Sequence, residues 1–484
     1  MEYKNVAPFS AYSLLVTEDC NLACKYCYEI MSTGHKKVHM SKETADRFLE
    51  FVIEQAELGK DKNVSVCFFG GEPVLAIDMI DYICTKAKKI FENTDINFST
   101  YIITNATLMN EKIYNIFKKH INMFTSCQLS VDGPHDIQDA NRVTKSGKGT
   151  FKRIEANLKY WKELFGNKLN VHGVLSKQSI GRLYNSYLYF RETWGLKKIW
   201  FLPCKDPDFT DDDILIYDRE LKKIYEYVMN DVRTNNRLNE IDYYAPLDRC
   251  LRNGISDKPC GAGDRYCVVT ANGDVYPCHH IYYINPEGET CLGNIWEGVD
   301  LSKKYIWSAY DNTDMVGCEN CDHPSCYRCI AENYEKYKTP FVQITGIHCS
   351  FMKVDLKYQR LIRREIEKMG LIKSQENNSS NKPITDCVGK VGQCDVVTRL
   401  EDCIFDRAEC TQFSATPVEF NQVDKEEIVQ SSEQDKCEGC SGDVCCNSCS
   451  EGSGDCNDRK NDVVNMLDEV ITVLVKYHTK WTNE

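Results

Sequence analysis

The sequence predicts an α/β fold in three parts: a partial barrel of alternating strands and helices, a small domain organised by cysteine, and an acidic tail ending in a helix. Three observations predict it. Residues 11–202 alternate between short β-forming runs and longer runs of helical period, as βα units around a parallel sheet do. Residues 236–372 lose that period and are rich in Cys, Tyr, Gly and turn pairs such as Asn272-Gly273. Beyond residue 373 the composition moves to Ser, Asn, Asp, Glu, Gly and Cys, with 17 acidic and 8 basic residues over 381–460.

The expected strands are Tyr12–Val16, Val64–Phe69, Asn97–Ile103, Thr125–Val131, Leu169–Leu175 and Lys198–Leu202. Between them lie expected helices at Ser41–Leu58, Ile77–Phe91, Asn110–Lys119, Thr150–Phe165 and Ile180–Thr193. Ser41 is suited to cap the first helix, with Glu43 in its first turn. Six such units fall short of a closed eight-unit barrel, so residues 1–235 are expected to form a partial (β/α)6 TIM-like barrel. Chemistry in such sheets sits at the C-terminal ends of the strands. Residues 236–372 form the small second domain, in which helical period returns only at Val354–Met369. A weak core of this kind is suited to metal or cluster staples. Residues 373–460 read as a poorly ordered acidic tail unless something ties its thiols. Residues 461–484 read as an amphipathic helix with Val463, Leu467, Val470, Leu474 and Tyr477 on one face.

Composition narrows the function classes. The chain has 484 residues and a formal net charge of −13. That balance argues against general nucleic-acid binding, which rests on phosphate neutralisation by Lys and Arg. No run of 18 apolar residues exists, so no helix is expected to span a membrane. The opening MEYKNVAPFSAYSLLV lacks the charged and apolar regions of a secretory signal, and a cytoplasmic location is expected. The 27 cysteines are the anomaly. Disulfide-dense domains are usually short and secreted, whereas a long cytosolic chain with many thiols more often binds metal or clusters.

Cys20, Cys24 and Cys27 read C-x3-C-x2-C directly after the first strand, with Tyr26 just before the last. Three thiolates in one loop can hold three irons of a four-iron cluster and leave the fourth open to a ligand. Structural zinc wants four closed ligands, and no fourth lies close in sequence.

This trio resembles the signature of the radical S-adenosylmethionine (SAM) enzymes, and three further segments agree. Gly70-Gly71-Glu72-Pro73 ends the second strand, as the family's GGE motif does. Thr104-Asn105-Ala106-Thr107 ends the third, where the family usually has Gly in place of Ala106. Ser130-Val131-Asp132-Gly133 ends the fourth, followed by Arg142 and Gly147-x-Gly149-Thr150-Phe151. The resemblance implies cofactor contacts by Tyr26, Gly70, Gly71, Glu72, Pro73, Asn105, Ser130, Arg142 and Leu175. Among these, Glu72 would bind the SAM amino group, Ser130 the ribose, and Arg142 would lie near the carboxylate. The implied chemistry is reductive cleavage of SAM followed by hydrogen abstraction.

Cys260, Gly273 and Cys278, then Cys318-x2-Cys321-x4-Cys326-x2-Cys329, then Cys349, resemble the SPASM domain of peptide-modifying radical SAM enzymes. The quartet is one residue shorter than the family pattern in each of its last two gaps. The resemblance implies one auxiliary 4Fe–4S cluster on Cys260, Cys278 and Cys329, with Cys267 as fourth ligand, and another on Cys318, Cys321, Cys326 and Cys349. On spacing alone zinc is an equal reading of these cysteines. In the sulfatase-maturing branch an Asp serves as base directly after the second of these cysteines. Here His279 stands there, a candidate catalytic base or a surface residue.

The ten tail cysteines, from Cys387 to Cys456, leave three readings open: a further metal site, a mimic of a Cys-rich substrate, or idle thiols. The implied activity is peptide maturation, with sulfur-to-carbon thioether formation in a Cys-containing ribosomal peptide. The expected partners are that peptide and a reducing electron donor such as flavodoxin or ferredoxin. A sulfatase-type formylglycine maturase or another peptide oxidase is the rival enzyme, and a non-catalytic Cys-rich metal-binding protein the rival of another class.

Overall fold

The computed structural model describes residues 6–29, 36–204, 209–238, 260–284, 288–308, 329–342 and 346–372. The strands are β1 (Ala11–Thr17), β2 (Asn63–Gly70), β3 (Asn97–Thr104), β4 (Phe124–Ser130), β5 (Leu169–Leu175) and β6 (Ile199–Pro203), then β7 (Tyr266–Val269), β8 (Asp274–Tyr276), β9 (Gly293–Asn294) and β10 (Gly298–Val299). They form one ten-stranded sheet in the order β10-β9-β8-β7-β1-β2-β3-β4-β5-β6. From β7 to β6 every pairing is parallel, and from β7 to β10 every pairing is antiparallel. The six expected strands are all present within a residue of their expected ends. The sheet does not stop at residue 235, because β7 pairs with β1, Ala11 opposite Tyr266.

The helices are α1 (Lys42–Leu58), α2 (Ile77–Phe91), α3 (Glu111–His120), α4 (His135–Asn141), α5 (Phe151–Phe165), α6 (Leu183–Leu188), α7 (Asp211–Asn235), α8 (His279–Ile284), α9 (Leu301–Ser308), α10 (Ile330–Tyr337) and α11 (Ile347–Lys368). Ser41 caps α1 as expected, its hydroxyl accepting from the Thr44 amide at 3.0 Å. The single helix expected at Ile180–Thr193 is instead a 3-10 turn, α6 and a π turn at Tyr189–Thr193. The π turn is closed by the Trp194 amide on the Tyr189 carbonyl, and both Phe190 and Trp194 are buried. The extra residue in the turn is what carries both rings to the core.

Strand alternation sorts the side chains into two faces. Tyr12 of β1 faces out and packs edge-on against Phe48 and Phe51 of α1. Ser13 faces the other way and accepts a hydrogen bond from Tyr266 of β7 at 2.9 Å. The helix α7, which periodicity did not reveal, clasps α11. Lys357 donates to Asp218 at 2.9 and 3.1 Å, both groups being largely withdrawn from water. Tyr217 bonds Asp355 at 2.7 Å, and Arg233 forms a fork on Glu365. The helix expected at Val354–Met369 is α11, beginning seven residues earlier at Ile347. The acidic tail and the helix expected at 461–484 lie outside the described residues.

Candidate active site at the ends of strands one to five

The loop of Cys20, Cys24 and Cys27 leaves β1 and is held from the side by residues 141–144. Ala23 donates its amide to the Val143 carbonyl at 2.8 Å, and Lys25 donates to the Asn141 carbonyl at 3.0 Å. Leu22 bridges Thr144. Cys20 is buried, Cys24 and Cys27 half-buried, and no disulfide joins any described cysteine.

Glu72 lies at the mouth of the sheet and is 1% exposed. It accepts from the Thr104 hydroxyl at 2.7 Å, the Asn105 amide at 2.7 Å and the Val74 amide at 3.1 Å. Burial pushes its carboxyl up to about 7, against the pull of those three donors. The glycines before it serve close approach. A Cβ on Gly70 would meet the Thr17 carbonyl oxygen at 1.9 Å, and one on Gly71 would meet that of Asp19 at 2.3 Å. The GGE turn is therefore pressed against the start of the cysteine loop. Pro73 opens the short turn that follows.

Asn105 donates to Asn21 at 2.9 Å and approaches Cys20 Sγ at 4.0 Å. Ala106, where the resemblance leads one to expect Gly, has φ 60°, and its carbonyl accepts from Asn157 and Trp161 of α5. This left-handed turn is the physical reason for glycine there. Ser130 ends β4, half-buried, with His172 as its partner on β5. Leu175 ends β5 and is buried.

Arg142 is 8% exposed and donates from Nε to Asp132 at 2.9 Å. Its guanidinium lies 5.4 Å from the centre of the Tyr26 ring. Burial pulls its guanidinium down, but Asp132, Tyr26 and Cys24 outweigh that and hold it charged. Asp132 also receives the Tyr26 hydroxyl and the Val174 amide. Asp132 was not assigned a role from the sequence, yet it joins the cysteine loop to β4, β5 and Arg142.

The segment after β8 reaches the same place. Tyr28, next to Cys27, packs against His279, His280 and Tyr283 of α8. His279 also lies 4.7 Å from Phe69, at the end of β2, and its Nδ1 is 3.0 Å from the Tyr266 hydroxyl. Tyr266, which positions His279, was missed in the sequence reading. So were Glu18 and Glu29, two buried acids flanking the cysteine loop. Glu18 accepts from Tyr282 at 3.0 Å, and burial pushes both carboxyls up, Glu29 to about 8.

The structure brings Cys260 and Cys329 within electrostatic reach of each other, and His280 Nδ1 lies 3.8 Å from Cys329 Sγ. Cys278 immediately precedes α8, beside Tyr28. It does not bring Cys267 to them. Cys267 sits opposite Tyr12 on the outer face of β7, fully buried, because its neighbour Tyr266 occupies the inner face. Cys349 lies in the first turn of α11. Cys318, Cys321 and Cys326 lie outside the described residues.

Among the described residues no three His, Cys, Asp or Glu side chains converge on a point suited to one metal ion. Single-ion sites need sulfurs about 4 Å apart. Thiolates around a four-iron cluster each bind a different iron and need not converge. A soft three-cysteine loop, partly shielded and facing a buried carboxylate, fits such a cluster with SAM beside it.

Residues 14–183 match the sequence model of the Radical SAM superfamily. The chain is 27% identical to the cysteine-type anaerobic sulfatase-maturating enzyme of Clostridium perfringens over 334 residues, 66% of this chain and 86% of that one. It is 26% identical to a radical SAM cyclopropyl synthase of Paramaledivibacter caminithermalis over 374 residues, 73% of this chain and 74% of that one. A solved structure of anSMEcpe with bound AdoMet and Cp18Cys peptide shares the fold, with TM-score 0.58 at 20% identity over 75% of this chain and 99% of that one. Residues 14–183 are thus a radical SAM domain, and the protein is an enzyme. The chain is related to anaerobic sulfatase maturases and to a cyclopropyl synthase. A purely metal-storing role is set aside by this domain and these relatives. No described helix is long and apolar enough to cross a membrane.

Proposed function

We propose that this enzyme modifies a Cys-containing ribosomal peptide and that its product is a sulfur-to-carbon thioether. The observation that carries the reading is the meeting of the cysteine loop, Glu72 and the Cys278–His279 turn at one mouth of the sheet. Cys20, Cys24 and Cys27 would hold the 4Fe–4S cluster, and Glu72 with Asn105, Ser130 and Arg142 would hold SAM. Bound there, these groups supply one-electron reductive cleavage and abstraction of a hydrogen atom. Glu72, already bonded by three fixed donors, is aimed to receive an ammonium, whose charge would restore its ionised form. Tyr26, Gly70, Gly71, Pro73 and Leu175 shape the walls and exclude water.

Thioether formation removes two hydrogens from the peptide, one as an atom from carbon and one as the thiol proton, with an electron left over. Cys260, Cys278 and Cys329 would hold an auxiliary cluster suited to receive it, with Cys318, Cys321, Cys326 and Cys349 holding another. His279, oriented by Tyr266, would take the thiol proton. Support for a peptide partner comes from the similar proteins, one a sulfatase-maturating enzyme and one bearing a bound peptide. A low-potential donor such as flavodoxin or ferredoxin would supply the first electron.

The likeness to sulfatase maturases favours formylglycine formation as a second reading. Product mass separates the two. A thioether within a peptide loses two hydrogens, whereas cysteine-to-formylglycine conversion also loses sulfur. A Cys-rich peptide returned unchanged, while SAM is cleaved, would count against both. Iron and sulfide analysis tests the cluster count, with about 12 iron per chain expected for three clusters.

A further inference from the structure

Arg142 and Asp132 form a buried charge pair against the cysteine loop, at Tyr26. The Arg142 guanidinium lies 5.4 Å from the centre of the Tyr26 ring, between Cys24 and Cys27, and it is the favourable charge acting on the Cys24 thiol. Asp132, 1% exposed, accepts from Arg142 Nε at 2.9 Å. Its remaining bonds, to the Val174 amide at 2.9 Å and the Tyr26 hydroxyl, leave it little room to move. Gln138 fixes it further by accepting the Asp132 amide at 2.9 Å and donating to Thr150 at 3.0 Å. Thr150 in turn donates to the Arg142 carbonyl at 2.7 Å. Both charges are thus locked by fixed partners from the cysteine loop, α4, β5 and Thr150.

The potential of an iron–sulfur cluster is set by net charge, hydrogen bonds to its sulfurs and solvent exposure. Reduction adds one negative charge. A cation beside the cluster favours the reduced form, and a nearby carboxylate opposes it. Cys24 and Cys27 flank Tyr26, which this pair holds, and Cys20 is bordered by Asn105 and Glu72. We infer that Arg142 and Asp132 are positioning residues that set, with opposite signs, the reduction potential of the cluster Cys20, Cys24 and Cys27 would hold. The inference rests on the cluster reading of that loop and not on the thioether product.

The experiment uses the reconstituted full chain without SAM, poised at a series of potentials and followed by electron paramagnetic resonance. The relevant signal is the one lost in Cys24→Ala. Arg142→Gln is expected to lower its reduction equilibrium at least tenfold, about 59 mV for one electron. Asp132→Asn, which leaves the cation in place, is expected to raise it by at least threefold. Arg142→Lys keeps the charge and should move it less than Arg142→Gln. Arg47→Gln, on the exposed face of α1, should leave it unchanged. Shifts of the same sign in Arg142→Gln and Asp132→Asn, or shifts under twofold in both, overturn the inference. If Arg142→Gln fails to take up iron, Asp132→Asn and Arg142→Lys decide it by the same signs. A wild-type chain that holds no iron at this loop would instead sink the cluster reading itself.

Discussion

The two described groups of cysteines are assembled differently. Cys20, Cys24 and Cys27 lie on eight consecutive residues whose backbone is pinned to residues 141–144, with Glu72 from beyond β2, Asp132 from beyond β4 and the buried guanidinium of Arg142 at the end of α4 around them. Cys260, Cys278 and Cys329 come from three separate segments, met through Tyr28, His280 and α8. The first group is a local device whose geometry the loop dictates. The second exists only once β7, β8 and α10 have docked. Local spacing therefore announces the first, while the second needs the fold, which sets Cys267 opposite Tyr12 on the outer face of β7.

The contrast can be broken by substitution. The largest expected effect is Cys24→Ala, which should abolish SAM cleavage and remove about four iron per chain. Cys329→Ala should remove a different set of about four, whereas Cys267→Ala should leave the iron count unchanged, as metal analysis of the three proteins will show. Next is Lys357→Met, which strands the buried Asp218 between α7 and α11 and should cost about 3–5 kcal/mol. Calorimetry should show a lowered Tm, and the iron of the first loop should survive at temperatures where that of the gathered group does not. Glu72→Gln comes third, with at least a tenfold loss of SAM affinity by equilibrium binding.

Glu72 also gives a pH signature. Its carboxyl is raised from 4.5 to about 7 in the folded chain, so the native state holds a proton that the unfolded state has released. Stability without SAM should therefore fall as pH rises from about 4.5 to about 7, then level off. Thermal melts of Glu72→Gln across pH 5–8 should lose that component. The smallest effect is Ala106→Gly, which relieves a left-handed alanine and should stabilise by about 0.5 kcal/mol after the entropy of glycine is subtracted.

The parallel strands were legible because their apolar runs are short, β-branched and followed by glycine or asparagine turns. The helix α7 was not, because its buried face carries Asp213, Asp218 and Glu220 beside Ile214, Leu221 and Ile224, which blurs the apolar period. Those acids are tolerated only through partners such as Lys357, more than a hundred residues away. The cysteine loop, Glu72 and Asn105 were legible as motifs at strand ends. Asp132 was visible in its motif, but its bonds to Tyr26 and Val174 need the fold. The meeting of His279 with Phe69 and Tyr266 depends on β7 pairing with β1, which no local pattern encodes. Period-two alternation does separate Tyr266 from Cys267 once one of them is placed.

The pairing of Ala11 with Tyr266 also has a consequence for biosynthesis. The strand that leads into the cysteine loop gains its second neighbour only after some 255 further residues have been translated, as the difference of those positions gives. At about 5–20 residues per second that delay is roughly ten to fifty seconds. During it β1 presents an open apolar edge, and the cysteine loop lacks the cover of Tyr28 by α8. The nascent chain thus passes through an interval in which Cys20, Cys24 and Cys27 are made but not yet covered by α8, and in which iron delivery would meet the least obstruction.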